Sequence, residues 1–158
     1  MIEFKKLKQT DLKSCLDLVY NDSEDFHDLK DIGWSKKQIN SQLNKINNYS
    51  LGIYDNNNLI TFVLGDLIFI EKDSEYEILI LYVKKSRRRE GFASKLLNYL
   101  EKQKKSLNLK KIYLEVSKNN NNAINLYKKS KFNLINIRTN YYLINNQKFD
   151  SYCYVKLL

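Results

Sequence analysis

The stretch VKKSRRREGFASKLL, residues 83–97, predicts a strand end, a basic loop and a helix in immediate succession. The apolar strand ends at Val83, and the helix begins at about Gly91. The first turn of a helix carries free backbone N–H groups and a partial positive charge, which suit a phosphate group. Gly91 allows close backbone approach, and Ala93 is small. The stretch therefore predicts a phosphate-binding loop, with a solvated basic loop or an RNA-contact patch as the alternatives.

The rest of the chain alternates between strand-like and helical hydrophobic patterns on either side of this loop. The expected strands are 2–7, 49–54, 59–71, 75–83, 111–116, 132–137 and 151–157. The expected helices are 11–20, one that begins after Ser35, 91–106 and 121–130. The order β-α-α-β-β-β-α-β-α-β-β predicts the α/β class, with a mixed sheet and helices on both faces.

Two helix starts carry recognisable capping residues. Thr10 is expected to cap the helix over 11–20. Ser35 and Gln38 form a capping-box pair at the start of the next helix. The expected apolar stripe of that helix is Ile39, Leu43 and Ile46. The expected apolar face of the helix after the loop is Phe92, Leu96, Leu97 and Leu100.

The composition predicts one globular domain over residues 1–158. Hydrophobic residues make up 43% and aromatic residues 13% of the chain, which argues against intrinsic disorder. No apolar run approaches the roughly 20 residues of a membrane span. The first residues carry basic charges without the apolar segment of a secretory signal. We therefore expect a cytoplasmic protein.

Charge and reactive residues narrow the chemistry further. The net charge of +9 favours an anionic partner such as a polyphosphate cofactor, RNA or an acidic surface. Cys15 and Cys153 lie far apart without CxxC spacing, so neither a zinc site nor a disulfide framework is expected. His27, the only histidine, has no GxSxG motif to accompany it, and we interpret it as a solvated loop residue. The nucleotide-binding motifs GxxxxGK[ST] and GxGxxG are also absent.

Two side chains in the segment that follows this loop and its helix are candidates for acid–base chemistry. Glu115 lies in the apolar strand KIYLEV, where a carboxylate is costly unless it is paired or functional. The structural alternative is a strand-end glutamate paired with Lys110 or Lys111. Tyr127 follows on the next helix, and taken alone it is more often a core aromatic residue.

The segment RREGFA, from Arg88 to Ala93, resembles the (Q/R)xxGx(G/A) acetyl-CoA signature of the GNAT acetyltransferase superfamily. The stretch LEVSKNNNNAINLYKKSKF, residues 114–132, resembles the next strand and helix of that fold. Trp34-Ser35 and the segment from Arg138 to Tyr142 are similar to the ribosomal-protein alanine N-acetyltransferase (RimI-type) branch, and Asp150 matches an acidic position there. The resemblance implies a single GNAT-like domain with a mixed, mostly antiparallel central sheet.

The resemblance also implies acetyl-CoA as the acetyl donor, and no metal. Backbone groups at the end of the fourth strand would contact its acetyl and pantetheine portion, and the loop with the first helical turn would wrap its pyrophosphate. Asn120 would contact the pantetheine chain. The implied cofactor-binding residues are Leu81, Tyr82, Val83, Arg88, Arg89, Glu90, Gly91, Phe92, Ala93, Ser94, Asn120 and Tyr127.

For catalysis the resemblance implies Glu115 as general base and Tyr127 as general acid. An α-ammonium group has a pKa near 7.7–8.0, so most of the acceptor is protonated at neutral pH. The amine must lose a proton before it can attack a thioester. A carboxylate can take that proton, and a phenol can return one to the departing thiolate. A backbone N–H near Val83 would stabilise the oxyanion. The implied substrate-binding residues are Trp34, Arg138, Tyr141 and Tyr142.

The leading hypothesis is acetyl transfer to the N-terminal α-amino group of a protein, most of all a small ribosomal protein. One alternative is a GNAT enzyme that acetylates a small-molecule amine or a protein lysine. Another is a non-catalytic basic module that binds RNA or ribosomes. Contact with nucleic acid is expected only as docking to a ribosome, and no membrane contact is expected.

Three positions depart from the family pattern. Tyr82 stands where a small residue is usual, which predicts an altered acetyl pocket. Gly33 replaces a proline before Trp34, which predicts a looser loop. Lys131 replaces a glycine before Phe132, at a helix end where a left-handed conformation is common.

Overall fold

A computed structural model describes residues 1–21 and 34–158 of the chain, and both His27 and Gly33 lie outside the described residues. The strands are β1 (Ile2–Leu7), β2 (Ser50–Asp55), β3 (Asn58–Ile70), β4 (Asp73–Val83), β5 (Leu109–Ser117), β6 (Asn133–Ile144) and β7 (Gln147–Leu157). The helices are α1 (Leu12–Asn21), α2 (Lys36–Asn44), α3 (Phe92–Lys102), α4 (Lys104–Leu107) and α5 (Asn121–Lys129). The expected helix 91–106 is therefore divided into α3 and α4, and the sixth strand continues well beyond residue 137.

The seven strands form one sheet in the order β1-β2-β3-β4-β5-β7-β6. All neighbouring strands are antiparallel except β4 and β5, which run parallel. Parallel neighbours need a crossover connection, which is formed here by the basic loop, α3 and α4. The predicted α/β class and the mostly antiparallel sheet are confirmed.

Helices cover the two faces of the sheet and form two hydrophobic cores. The α3-side core joins α3 and α5 to β2, β3, β4, β5 and β7. The α1-side core joins α1 and α2 to the other face of β2, β3 and β4. The predicted apolar face of the helix after the loop is confirmed, because all its residues are buried, namely Phe92, Leu96, Leu97 and Leu100.

A bulge in β4 determines which core each of its side chains enters. Leu64 of β3 pairs with Ile80, while the next residue, Gly65, pairs with Ile78. Leu79 is thus an extra residue, and the side chains of β4 change face at this point. Ile78 lies in the α3-side core, whereas Ile80 lies in the α1-side core.

Glycine is required at the bulge because a tyrosine ring crosses it. An added Cβ on Gly65 would lie 2.1 Å from the Tyr76 hydroxyl oxygen. That hydroxyl donates to the carbonyl oxygen of Tyr49 at 2.8 Å, so the fully buried ring has little freedom to move. Gly65 and Tyr76 therefore fix the register of β4 before it reaches the basic loop.

Helix α2 begins as predicted but ends earlier. Gln38 N donates to Ser35 Oγ at 3.3 Å, and Ser35 N donates to Gln38 Oε1 at 2.7 Å, so the capping box is confirmed. The prediction that Ile46 lies on the apolar stripe is wrong, because α2 ends at Asn44 and Lys45 is already extended. Ile46 is fully exposed.

The start of α1 also differs from the sequence prediction. A 3-10 turn over Gln9–Asp11 precedes the helix, and Thr10 lies inside that turn instead of capping α1. The turn is closed by Lys8 N, which donates to Asp11 Oδ2 at 2.9 Å. The prediction that Thr10 caps α1 is therefore wrong, and the Asp11 side chain closes the 3-10 turn that precedes the helix.

Candidate active site

The parallel pairing of β4 with β5 ends partway along both strands. The last pair is Ile78 with Leu114, directly before the bulge in β4. Beyond it the strands separate over residues 79–83 and 115–117, which we call the β4–β5 cleft. The two walls of this cleft carry backbone groups that the parallel ladder does not use.

The basic loop leads from the cleft to the N-terminus of α3. Gly91 has φ 79°, a left-handed conformation that favours glycine, and no side chain of the described residues caps the helix. The first helical hydrogen bond is donated by Lys95 N to Gly91 O at 2.9 Å, so the earlier amides of the first turn have no partner within the helix. A Cβ on Gly91 would meet no atom of residues 1–21 or 34–158 within 4 Å. This open turn can bind an anionic group such as a phosphate.

Arg87 attaches the loop to the sheet. Its guanidinium lies 3.1 Å from Asp55 Oδ2 and 3.0 Å from Glu90 Oε2, and 4.9 Å from the centre of the Phe92 ring. Hydrogen bonds to Asp55 and then Glu90 raise the pKa of Arg87, and the same contact lowers the pKa of Asp55. The side chains of Arg87 and Glu90 are thus paired within the protein.

The other two arginines of the loop are exposed. Arg88 Nε donates to Val83 O at 3.1 Å, and its guanidinium lies 5.6 Å from the centre of the Tyr82 ring. Arg89 has φ 66°, which is unusual for a residue with a side chain. Both arginines keep positive charge beside the first turn of α3.

Glu115 is the first residue of β5 beyond the last pair with β4. Its side chain points away from the α3-side core and is 25% exposed. Arg138 Nη2 of β6 lies 3.1 Å from Glu115 Oε1, and Ser151 Oγ of β7 donates to Glu115 Oε2 at 3.4 Å. The carboxylate is therefore held from two strands at the start of the cleft.

The structural alternative for Glu115, a pair with a neighbouring lysine, is wrong. Lys110 Nζ lies 3.5 Å from Asp73 Oδ1, and Lys111 Nζ lies 2.8 Å from Glu75 Oε1. Both lysines thus reach across to the beginning of β4. The partner of Glu115 is an arginine far along the chain, which no local pattern indicates.

Tyr127 lies in the α3-side core, edge to face with Phe132 at a centroid distance of 5.6 Å. Burial and then the nearby Tyr142 hydroxyl raise the pKa of Tyr127, so its phenol stays protonated throughout the neutral range. Burial raises the pKa of Tyr142 as well, opposed by a hydrogen bond with Ser151 and reinforced by the charge of Glu115. Tyr142 is therefore within electrostatic reach of both Glu115 and Tyr127.

The predicted substrate-binding residues fall into two groups. Tyr141 is exposed, with its ring edge to face with Tyr142 at 5.2 Å and 5.3 Å from the guanidinium of Arg138. These three residues form one cluster with Glu115. Trp34 is instead half-buried against the α1-side core.

A bulge in β6 presents the two tyrosines. The pairing with β7 shifts between Arg138 and Tyr142, where Asn140 has φ 53°. Asn140 N donates to Asp150 Oδ1 at 3.1 Å, and Lys118 Nζ lies 3.0 Å from Asp150 Oδ2. The hydrogen bond from Asn140 N lowers the pKa of Asp150 most, and the contact with Lys118 lowers it further. The acidic residue noted from the sequence therefore shapes the bulge.

Asn120 caps α5. Its side-chain oxygen accepts a hydrogen bond from Ala123 N at 3.1 Å. The oxygen of the Asn120 amide thus accepts a hydrogen bond from the helix, and its NH₂ group can still donate to a ligand.

The last residues of β4 direct their side chains alternately into the two hydrophobic cores. The Tyr82 side chain is buried in the α1-side core, stacked on Phe62 at a centroid distance of 5.8 Å. Its carbonyl oxygen accepts a hydrogen bond from Thr61 Oγ1 at 2.7 Å. Leu81 and Val83 are half-buried against the α3-side core. The large ring of Tyr82 is therefore accommodated by the core on the α1 side.

A cavity of about 340 Å³ adjoins Glu115 on the face of the sheet opposite the α3-side core. We call it the β5 groove, and its lining includes Glu75, Glu77, Tyr113, Glu115, Arg138 and Cys153. Sequence reasoning missed Glu77 and Cys153 as site residues, and also Ser151. The alternation of acidic and apolar residues at 75–78 was a usable signal for Glu77, whereas the others depend on the register of β7 against β5.

In the described ranges, 1–21 and 34–158, no three side chains of His, Cys, Asp or Glu group together in a way that could hold a metal ion. Within that same part of the chain, no helix has both the length and the apolar character to cross a membrane.

Comparison with known proteins identifies the family. A model described as the Acetyltransferase (GNAT) family matches residues 14–132. The chain belongs to the GNAT acetyltransferase family, as its sequence motifs predicted, and it is an acetyl-CoA-dependent N-acetyltransferase. A sequence comparison with curated proteins finds no match.

Solved structures of other proteins share this fold over nearly the whole chain. Arabidopsis thaliana NAA60 in complex with a bisubstrate analogue is 25% identical, with a TM-score of 0.81 over 99% of this chain and 98% of that chain. The same protein in complex with acetyl-CoA is 25% identical, with a TM-score of 0.80 over 100% and 99%. The ribosomal-protein-S18-alanine N-acetyltransferase from Escherichia coli, at 22% identity, has the same fold, with a TM-score of 0.79 over 99% and 94%.

Proposed function

We propose that this protein acetylates the N-terminal α-amino group of another protein, and that this acceptor is a small ribosomal protein. The observation that carries the proposal is the position of Glu115, where the β4–β5 cleft meets the β5 groove. A donor in the cleft and an acceptor in the groove would meet at this carboxylate. The similarity to Arabidopsis thaliana NAA60, which was solved with a bisubstrate analogue, supports this arrangement.

The chain offers suitable groups for the donor. When bound, acetyl-CoA supplies a thioester-linked acetyl group. Backbone groups of residues 81–83 line the cleft where its acetyl and pantetheine portion would lie, and the NH₂ group of Asn120 is available to the pantetheine chain. The open amides of residues 91–94, with Arg88 and Arg89 beside them, fit the pyrophosphate.

In this proposal Glu115 is the general base. The acceptor's α-ammonium group, with a pKa near 7.7–8.0, is largely protonated at neutral pH. Arg138 and Ser151 hold the carboxylate in place, so it can accept that proton directly or through one water. A positioned base of this kind contributes about 10²–10⁴ in rate.

Tyr127 is the proposed proton donor to the departing sulfur. Its buried phenol keeps its proton throughout the neutral range, and Tyr142 is within electrostatic reach of both Tyr127 and Glu115. A backbone N–H near Val83 would stabilise negative charge on the acetyl oxygen. Base and acid would thus act on opposite sides of the same cleft.

The ribosomal acceptor is supported by the segment from Arg138 to Tyr142, which resembles the RimI-type branch and forms an exposed cluster with Glu115. Trp34 would contact the acceptor from the α1 side. The net charge of +9 would assist docking to a ribosome, with the strong salt dependence of phosphate contacts. The cytoplasmic location stays a prediction.

Three acceptors tested side by side distinguish the proposal from its alternatives. The first is a peptide with a free N-terminal alanine and no lysine. The second is the same peptide with a blocked N-terminus and one internal lysine, and the third is a small primary amine. We expect acetylation of the first peptide alone, and preferred acetylation of either of the others would contradict the proposal.

The acceptor in the cell can then be found by mass spectrometry of ribosomal proteins from cells with and without this protein. We expect one N-terminus to lose a mass of one acetyl group when the protein is absent. Unchanged acetylation of every ribosomal N-terminus would contradict the ribosomal part of the proposal and leave acetyl transfer itself standing.

A further inference from the structure

The β5 groove extends beyond Glu115 along a sheet face to which the described helices contribute no lining residue. Every lining residue in the part of the chain that the structure describes belongs to β4, β5, β6 or β7. Its volume of about 340 Å³ is at the lower end of the range for small-ligand pockets, about 300–1,000 Å³. The groove therefore suits a short piece of extended chain rather than a folded partner.

The charges in the groove are unevenly paired. The two cations among its described lining residues are already used, because Lys111 lies 2.8 Å from Glu75 and Arg138 lies 3.1 Å from Glu115. The remaining charged side chain is Glu77, which has no ion-pair partner among residues 1–21 and 34–158. The groove thus contains one half-buried carboxylate that lacks a cation, in a protein with a net charge of +9.

A second carboxylate increases this local negative charge. Asp66 of β3 stands directly opposite Glu77 in the antiparallel ladder, and its own cation is Lys45 at 3.0 Å. Burial, then the charges of Asp66 and Glu115, raise the pKa of Glu77, whereas Lys45 and Arg138 lower it. A positive charge brought into the groove would therefore stabilise the ionised form of Glu77.

The spacing between Glu77 and Glu115 matches that of an extended peptide. Glu77 pairs with Tyr113, and Glu115 lies two residues further along β5 on the same face of the sheet. Two residues of a strand span about 6.6 Å and neighbouring strands lie about 4.8 Å apart, so the backbones at Glu77 and Glu115 are about 8 Å apart on the diagonal, a distance that an extended acceptor chain covers in two to three residues. A chain whose α-amino group lies at Glu115 would thus bring its second or third side chain to Glu77.

We propose that Glu77 is a specificity-determining residue that binds an arginine or lysine side chain at the second or third position of the acceptor. The preferred acceptors would then be polypeptides with basic N-termini. This inference rests on the proposed N-terminal acetylation and adds the chemical class of the acceptor to it.

The test compares kcat/KM for two peptides with N-terminal alanine that differ only in arginine or glutamine at positions two and three. Arginine is used because its guanidinium is not an acetyl acceptor in this reaction. We expect the wild-type protein to prefer the arginine peptide by about tenfold or more, the range of a charge-assisted hydrogen bond. In Glu77→Gln the ratio should fall towards one, mainly through a higher KM for the arginine peptide.

Glu75→Gln is the matched control, since Glu75 lines the same groove but is already paired with Lys111. It should retain the preference, and Glu77→Lys should reverse it in favour of a glutamate peptide. Because each variant is judged by a ratio of two substrates, a general loss of activity cancels. An unchanged ratio in Glu77→Gln would overturn the inference.

Failure of this inference and failure of the proposed function give different results. Equal acetylation of both peptides by the wild-type protein would overturn the role of Glu77 and uphold N-terminal acetylation. Acetylation of a lysine side chain or a small amine, without any N-terminal product, would overturn both.

Discussion

The guanidinium of Arg138 lies 3.1 Å from the carboxylate of Glu115 and so connects β6 to β5 across the intervening strand β7. Ser151 of β7 donates to the other oxygen of the same carboxylate at 3.4 Å. The bulge that follows Arg138 brings Tyr141 and Tyr142 to the same place. The geometry of the proposed base is thus determined by the C-terminal hairpin.

Glu115→Gln keeps the shape of the side chain and removes the proposed base. We expect turnover on a peptide with N-terminal alanine to fall by about 10²–10⁴ at pH 7, with nearly unchanged acetyl-CoA affinity. Activity should recover in part towards pH 9, because more of the α-amine is then free of its proton. Steady-state rates across pH and calorimetry measure both effects, and wild-type turnover at pH 7 would place the base elsewhere.

Tyr127→Phe removes the proposed proton donor and keeps the aromatic packing against Phe132. We expect lower turnover that high pH does not restore, because the lost step gives a proton instead of taking one. The pH–rate profile of this variant, measured beside that of Glu115→Gln, separates the two roles. Recovery of Tyr127→Phe at pH 9 would contradict its assignment as an acid.

Buried tyrosines predict a loss of stability in alkali. Burial raises the pKa of Tyr54, Tyr76 and Tyr127, whereas in the unfolded chain these groups ionise near 10. Because the folded state then holds more protons, the free energy of unfolding is highest below pH 10 and falls as pH rises above it. Urea unfolding should show a smaller decline for Tyr127→Phe than for the wild-type protein, by at most about 1.4 kcal/mol per pH unit. An equal decline in the two proteins would contradict the prediction.

The sequence predicted the parts of the fold that depend on local patterns. Hydrophobic periodicity placed all seven strands, and the Ser35–Gln38 capping box marked the start of α2. Glu115 stood out because a carboxylate in an apolar strand needs an explanation. These signals lie within a few residues of the features that they predict.

Contacts between distant segments could not be predicted in this way. The partner of Glu115 is 23 residues away, and its hydrogen bond to Ser151 depends on the register of β7. The change of face in β4 depends on one extra residue, which the uniformly apolar run from Ile78 to Val83 does not reveal. The alternation of acidic and apolar residues at 75–78 marked Glu77, but the charges around it lie on β3 and β5, so its electrostatic environment could not be predicted.

Lys131→Gly should stabilise the protein. Lys131 has φ 64° at the end of α5, where a left-handed residue with a Cβ costs about 1–2 kcal/mol and glycine has no such cost. Glycine also has a greater entropy in the unfolded chain, which offsets part of this gain. The free energy of unfolding should therefore rise by up to about 1 kcal/mol, and Tm by roughly 2–4 °C. Lys131→Ala keeps the Cβ and should give no such gain in a thermal scan. Equal gains in both variants would assign the effect to the lost charge instead.

Gly91→Asp and Gly91→Asn test the proposed pyrophosphate site at the start of α3. Both residues tolerate the left-handed conformation, and a Cβ here meets no described residue within 4 Å, so both variants should fold. The aspartate, however, would place a negative charge among the open amides of the first turn, where it repels a phosphate and favours the helix itself. We expect calorimetry to show acetyl-CoA affinity at least about tenfold lower for the aspartate than for the asparagine variant. Equal affinity in the two variants would mean that the pyrophosphate does not bind at this turn, whereas weaker binding by an aspartate variant of undiminished Tm can only come from charge at the site.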